Sequence, residues 1–123
     1  MRALRILLAE DDAMIGLLLA DLLDGMGHAC TIAATEAETV AAARHYHPDL
    51  MIVDAQLGEG SGIAAVQEIV RGGAVPHLFV SGDASRVLLQ QPGALVLQKP
   101  FREAELAQAM GRALHTPARV WEN

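Results

Sequence analysis

Five oxygen-bearing side chains and the only lysine of this chain fall at the ends of apolar runs. Glu10, Asp11 and Asp12 follow Leu4 to Ala9, Asp54 follows Leu50 to Val53, Ser81 follows Leu78 to Val80, and Lys99 follows Leu95 to Gln98. Carboxylates gathered at one place repel one another and cannot all stay ionised cheaply unless a cation sits among them. A divalent metal resolves the conflict. Magnesium takes one or two protein carboxylates, keeps waters, and leaves positions for phosphate oxygens. With such an ion bound, one carboxylate can act as nucleophile on a phosphoryl donor while the metal and an ammonium group neutralise charge on the transferring group. A surface built merely for solubility would not ration lysine to a single strand end.

The elements that must position these groups are read from hydrophobic periodicity. Apolar runs of strand length alternate with stretches of helical period, the pattern of βαβ units and a parallel sheet covered on both faces. Five such pairs are expected. A helix over about Ala13 to Met26 follows the first strand, with Ile15, Leu18, Leu19, Leu22 and Met26 at three-and-four spacing. Asp12 suits its N-cap and Gly27 its left-handed C-terminal position. His28 to Ala33 is a second, weaker strand nearer a sheet edge. Thr35-Glu36-Ala37-Glu38 is a capping box that opens a helix from about Glu36 to Tyr46, ended by Pro48.

Leu50 to Val53 then delivers Asp54. A glycine-rich turn, Gly58 to Gly62, leads into a third helix through about Val70, stopped by Gly72-Gly73. Next come a fourth strand at Leu78 to Val80, a short helical piece near Ala84 to Leu89 closed by Pro92-Gly93, a fifth strand at Leu95 to Gln98, and a last helix from Arg102 to His115. Thr116 to Asn123 is expected to be a poorly ordered tail, with Trp121 a candidate anchor. In an open parallel sheet, ligand sites form in the crevice at the carboxyl ends of the strands. In a flavodoxin-like (βα)5 arrangement with strand order 2-1-3-4-5, strands one and three are neighbours and their carboxylates converge at the topological switch point.

The bulk properties agree with such a unit. The 123 residues suit one domain over 1–123, with a core of about 3–115. The chain is 52% apolar, yet no run approaches the roughly 18 to 20 residues of a membrane span. Its start runs directly into a strand without the features of a secretion signal, so a cytoplasmic location is expected. Cys30 is the only cysteine and is expected to pack as a small hydrophobe. A formal charge of −6, with scattered arginines, opposes the nucleic-acid backbone. Neither nucleic acid nor a membrane is expected as a partner.

Four pieces now stand in order: Ile6-Leu7-Leu8-Ala9-Glu10-Asp11-Asp12, Pro48-Asp49-Leu50-Met51-Ile52-Val53-Asp54, Ser81-Gly82 and Lys99-Pro100-Phe101. Each alone is weak, but at these spacings and at consecutive strand ends they resemble bacterial response-regulator receiver domains, over about residues 3 to 115. The resemblance implies that Asp54 is phosphorylated by a sensor histidine kinase or a histidine phosphotransfer protein, and that Mg2+ (or Mn2+) assists. It implies an acid pair of Glu10 and Asp11, with Asp11 on the metal directly and Glu10 through water, Asp54 as a further ligand, and the backbone carbonyl of Gln56 completing the set. Ser81 and Lys99 would each meet a phosphoryl oxygen, Gln56 and Asp83 would tune the lifetime of the acyl phosphate, and Ser81, Gly82, Val96 and Pro100 would form the switch region. Pro100 resembles the family proline whose preceding peptide bond is cis.

Three features depart from the common pattern. Val96 stands where many receivers place an aromatic residue that moves with the switch hydroxyl. The segment from Ser81 to Lys99 is short, which implies an abbreviated fourth helix. Ala55-Gln56-Leu57-Gly58 lacks the frequent proline, and resembles a subset of stand-alone receivers that serve alphaproteobacterial kinases.

Simpler roles compete at each position. Asp12 needs no metal if it caps a helix, and the acid pair could instead be Asp11 and Asp12. Asp54 could be a turn-forming aspartate, Ser81 a loop-starting serine, Lys99 a solvated amine. His45 and His47 cannot share a helix face and are expected to be solvated, while His28, His77 and His115 are too dispersed for a site. The expected function is a stand-alone phospho-acceptor switch, or a phosphate sink, acting on a downstream protein target. It would be no enzyme beyond self-directed phosphotransfer and slow autodephosphorylation. The alternative is a phosphorylation-independent protein-binding module on the same scaffold. A phosphoester hydrolase is disfavoured because Gln56, not a second carboxylate, lies two residues after Asp54.

Overall fold

The computed structural model describes residues 2–115, and the expected tail, Trp121 included, lies outside them. The chain runs β1 (Arg5–Ala9), α1 (Ala13–Gly25), β2 (Ala29–Ala33), α2 (Glu36–Tyr46), β3 (Leu50–Asp54), β4 (Gln56–Leu57), β5 (Gly60–Ser61), α3 (Gly62–Arg71), β6 (His77–Ser81), α4 (Ala84–Gln90), β7 (Val96–Gln98) and α5 (Glu103–His115). Five strands form a parallel sheet in the order β2-β1-β3-β6-β7. Numbered among themselves they run 2-1-3-4-5, as the alternation of strand-length and helical segments requires. β4 and β5 form a separate antiparallel hairpin directly after Asp54, where only a glycine-rich turn was expected.

Strand alternation divides the core into two layers. Ile6 and Leu8 of β1 with Leu50 and Ile52 of β3 face Leu23 of α1 and Leu106, Met110 and Ala113 of α5. Leu7, Ala9, Met51 and Val53 point the other way, against Ala43 of α2, Ile63, Val66 and Ile69 of α3, and Val87 of α4. The side chains of Leu50 to Val53 have no exposed surface. Burying each contributes about 1.5–3 kcal/mol, enough to fix the register of the strand that carries Asp54.

Helix starts follow the expected chemistry. The Asp12 carboxylate accepts from Ile15 N at 3.1 Å and the Thr35 hydroxyl from Glu38 N at 3.0 Å. Glu38 turns back to the amide of Ala34, one residue outside the expected box. Gly27 is left-handed with φ 95°, and His47, φ 52°, ends α2 just before Pro48. His45 and His47 are exposed. Cys30 is half-buried against the first core layer, and burial, with the charge of Asp24, pushes its thiol pKa up.

The expected stripe on α1 needs correction. Ile15 and Leu18 are 38% and 62% exposed, and the inward side is instead Gly16, Leu19, Ala20, Leu22, Leu23 and Met26. α1 is apolar nearly all round, so periodicity could not fix its phase. Met14 and Leu17 share the outward face.

Candidate functional site

The carboxyl ends of β1, β3, β6 and β7 bring the expected polar residues to one rim. Glu10 leaves β1 with its amide bonded to the Ala33 carbonyl at 2.9 Å, its side chain only 4% exposed, and its Oε2 accepting the Asp12 N–H at 3.1 Å. Asp12 itself is spent on the α1 cap. The acids that converge are therefore Glu10, Asp11 and Asp54, each offering a carboxylate oxygen within 4.8 Å of the others. Asp11 and Asp12 do not form the pair.

Asp54, at the end of β3, has both oxygens engaged. Oδ1 accepts the Gln56 N–H at 3.0 Å, and Oδ2 accepts the Lys99 ammonium at 2.8 Å. The same ammonium lies 3.7 Å from Glu10 Oε1. Burial raises the Glu10 pKa above the ordinary carboxylate range. The Asp12 N–H opposes the rise, the Asp54 charge adds to it, and Lys99 opposes it. For Lys99, burial pulls the pKa down, but the hydrogen bond and charge of Asp54, followed by Glu10, outweigh it and hold the ammonium above its ordinary range.

Three converging carboxylates against one ammonium leave a surplus of negative charge. The donor set is all oxygen, the set a hard divalent cation takes. The residues present therefore fit magnesium or manganese. Asp11 is exposed and so open to a hydrated ion, whereas Glu10 lies buried behind it.

The backbone after Asp54 is held by features that sequence reasoning missed. A Cβ on Gly62 would lie 1.9 Å from the Asp54 carbonyl oxygen and 2.7 Å from Val53 Cγ1, so no side chain fits where α3 begins against the strand that carries Asp54. Gly62 N also donates to the Ala55 carbonyl at 2.9 Å. Gly58 is left-handed at φ 61°, with its would-be Cβ 3.8 Å from Asp11 Oδ2. Glu36 of α2 accepts the Ser61 N–H at 2.8 Å and so ties the β4–β5 hairpin to the helix behind it. The glycine spacing was visible in the sequence; the approach of Asp54 and Glu36 was not.

Ser81, Gly82, Asp83 and Lys99 line one open cleft with Asp11, Asp54 and Gln56. The Ser81 hydroxyl accepts the Asp83 N–H at 2.9 Å, and the Asp83 side chain caps α4 through Arg86 N at 3.1 Å. α4 is short, seven residues. Val96 lies opposite Phe79 in the strand register, packed half-buried in the second core layer. The Lys99–Pro100 peptide bond is cis. Beside the rim, Ile15 and Leu19 of α1 form an apolar notch with Lys99, Pro100 and Phe101.

Comparison with known proteins gives a consistent picture. Residues 6–111 match the response regulator receiver domain. The chain is 33% identical over 117 residues to the phyllosphere-induced regulator PhyR of Methylorubrum extorquens AM1, covering 91% of this chain and 44% of that protein. It thus spans less than half of that relative's length. The PhyR receiver domain of Erythrobacter litoralis superposes with a TM-score of 0.84 at 30% identity, covering 94% of this chain and 95% of that one. The receiver domain of the sensor histidine kinase PA1611 from Pseudomonas aeruginosa PAO1, solved with magnesium coordinated in its active-site cleft, superposes with a TM-score of 0.82 at 26% identity, covering 94% and 100%.

Proposed function

The chain belongs to the response regulator receiver domain family, and from that premise we propose that Asp54 accepts a phosphoryl group from a phosphohistidine protein and so changes the chain's affinity for a downstream protein. The observation that carries this reading is the convergence of Glu10, Asp11 and Asp54 at the strand ends, with Lys99 2.8 Å from Asp54. Asp11 and Asp54 would hold the divalent ion, with Glu10 behind them and the Gln56 carbonyl as a further oxygen. When bound, that ion offsets charge on the phosphoryl oxygens.

An oxygen of Asp54 attacks phosphorus. The new P–O bond forms as the P–N bond to imidazole breaks, and the bonding pair leaves on the ring nitrogen, neutral if the ring arrives protonated. Lys99, held protonated by its acidic neighbours, stays beside the transferring group, and the Ser81 hydroxyl donates a hydrogen bond to a phosphoryl oxygen. Gln56 and Asp83 line the path by which water reaches the acyl phosphate. The donor protein must lie over this rim for its histidine to reach Asp54. Met14, Leu17 and Leu18 of α1, each more than 60% exposed, offer it an apolar surface there.

Incubation with acetyl phosphate or phosphoramidate and Mg2+, followed by intact mass measurement, tests the reading. One phosphate adduct is expected, absent in Asp54→Asn and when the metal is chelated. An adduct that persists in Asp54→Asn, or none with any donor, rejects it. The second reading, a phosphorylation-independent binding module, draws on the missing ring at Val96 and predicts that Asp54→Ala leaves partner binding unchanged.

A further inference from the structure

Gln98 ends β7 one residue before Lys99, and its amide is used at both ends. Oε1 accepts the Ala84 N–H at 2.9 Å, while Nε2 donates to the Gly82 carbonyl at 2.6 Å and to the Lys99 carbonyl at 3.2 Å. Ala84 opens α4, so its N–H lacks a partner within the helix, and Gln98 supplies one from a different strand. The backbone adds a parallel tie, with Lys99 N donating to the Ser81 carbonyl at 2.8 Å. The Ser81 hydroxyl is bound to Asp83 N within the same loop.

One planar amide thus joins three segments: the loop that carries Ser81, the first residue of α4, and the peptide that carries Lys99. We propose that Gln98 is a positioning residue that couples the Ser81 loop to Lys99, so that the two groups facing the phosphoryl site move as one unit. This deepens the function proposed above and rests on it. The side-chain chemistry is specific. A carboxylate of the same length could serve Ala84 N but would repel the Gly82 and Lys99 carbonyls, and an apolar side chain could serve none of the three. Val96 has no ring with which to link the loop to β7, and the amide two residues on makes that link by hydrogen bonds.

The test compares wild type with Gln98→Leu and Gln98→Glu, both at an exposed position. In the metal-free, unphosphorylated protein, the Ala84 amide should exchange with solvent roughly 5- to 10-fold faster in Gln98→Leu, the protection of about one hydrogen bond. Gln98→Glu should shift the amide resonances of both Gly82 and Lys99 while those of Asp11 and Gln56 stay in place. On titration with acetyl phosphate and Mg2+, Ser81 and Lys99 amides should follow one common curve in wild type and separate curves in both variants, with Mg2+ affinity unchanged within about twofold. A merely structural role would lower the melting temperature and leave the curves joined. Unchanged Ala84 exchange in Gln98→Leu, or a common curve in both variants, overturns the proposal. If wild type takes no phosphoryl group, the functional reading fails, and the exchange and resonance measurements still decide whether Gln98 bridges the two segments.

Discussion

The two rims of the sheet treat polar groups in opposite ways. At the amino ends of the strands, charges and rings are engaged by near neighbours, with the buried His28 Nε2 the exception that has no hydrogen-bond partner among the described residues. The Asp49 carboxylate accepts the Arg5 N–H at 2.8 Å, the Arg5 guanidinium donates to the Tyr46 carbonyl and sits 4.5 Å from the centre of its ring, and the Tyr46 hydroxyl donates to the Ala29 carbonyl at 3.3 Å. His28 Nδ1 accepts from Leu4 N at 3.0 Å, and a ring nitrogen of His77 contacts the Val75 carbonyl at 2.7 Å. At the carboxyl ends, three carboxylates meet one ammonium and the charge does not close. Polar residues at the first rim stitch strands to loops. Those at the second leave a surplus of negative charge on an all-oxygen donor set, which suits a hard divalent cation.

The contrast is broken most severely by a methyl group. Gly62→Ala should cost about 1–3 kcal/mol of stability or more, since the added carbon overlaps the Asp54 backbone. It should also weaken Mg2+ binding, which chemical denaturation and metal titration on the same variant would read separately. Metal affinity unchanged in a folded Gly62→Ala would mean that the close approach does not position Asp54.

At the other rim, Arg5→Ala should cost only about 0.5–1 kcal/mol, the scale of a cation–π contact on a partly exposed ring, and leave Mg2+ affinity as it was. A large loss of metal binding in this variant would erase the distinction between the rims.

A smaller effect is read in the pH dependence, where the rims carry opposite signs. Burial raises the Glu10 pKa above its ordinary 4.5, so in the metal-free protein its contribution to stability is complete below that value and is lost as pH rises through the raised one. Burial lowers the His77 pKa below its ordinary 6.5, so its contribution is complete above that value and is lost as pH falls through the lowered one. Glu10→Gln should therefore flatten the first dependence and His77→Gln the second, in denaturation curves collected across pH without metal. Swapped or shared effects would show that the two groups do not titrate independently.

Much of this was legible in the chain. Apolar runs ending at Glu10, Asp54, Ser81 and Lys99 gave the strands and put the polar residues on one rim, because strand burial and helix capping are local signals. The phase of α1 was not legible, because leucines on all sides leave its direction to the sheet it packs on. Nor was the β4–β5 hairpin, whose two-residue strands are set by Glu36 taking the Ser61 amide from 25 residues away. The fit of Gly62 under Asp54 and the reach of Gln98 to Gly82 and Ala84 are contacts between segments that no periodicity encodes.

Titration with Mg2+, followed residue by residue through backbone amide resonances, measures the gathering of Glu10, Asp11 and Asp54 around one ion most directly. The expected result is a single saturable set of shifts at Glu10, Asp11, Asp54 and Gln56, weakened at least about tenfold in Asp11→Asn. Equal affinity in Asp11→Asn, or shifts centred on the Arg44, Glu68 and Arg71 surface instead, would contradict it.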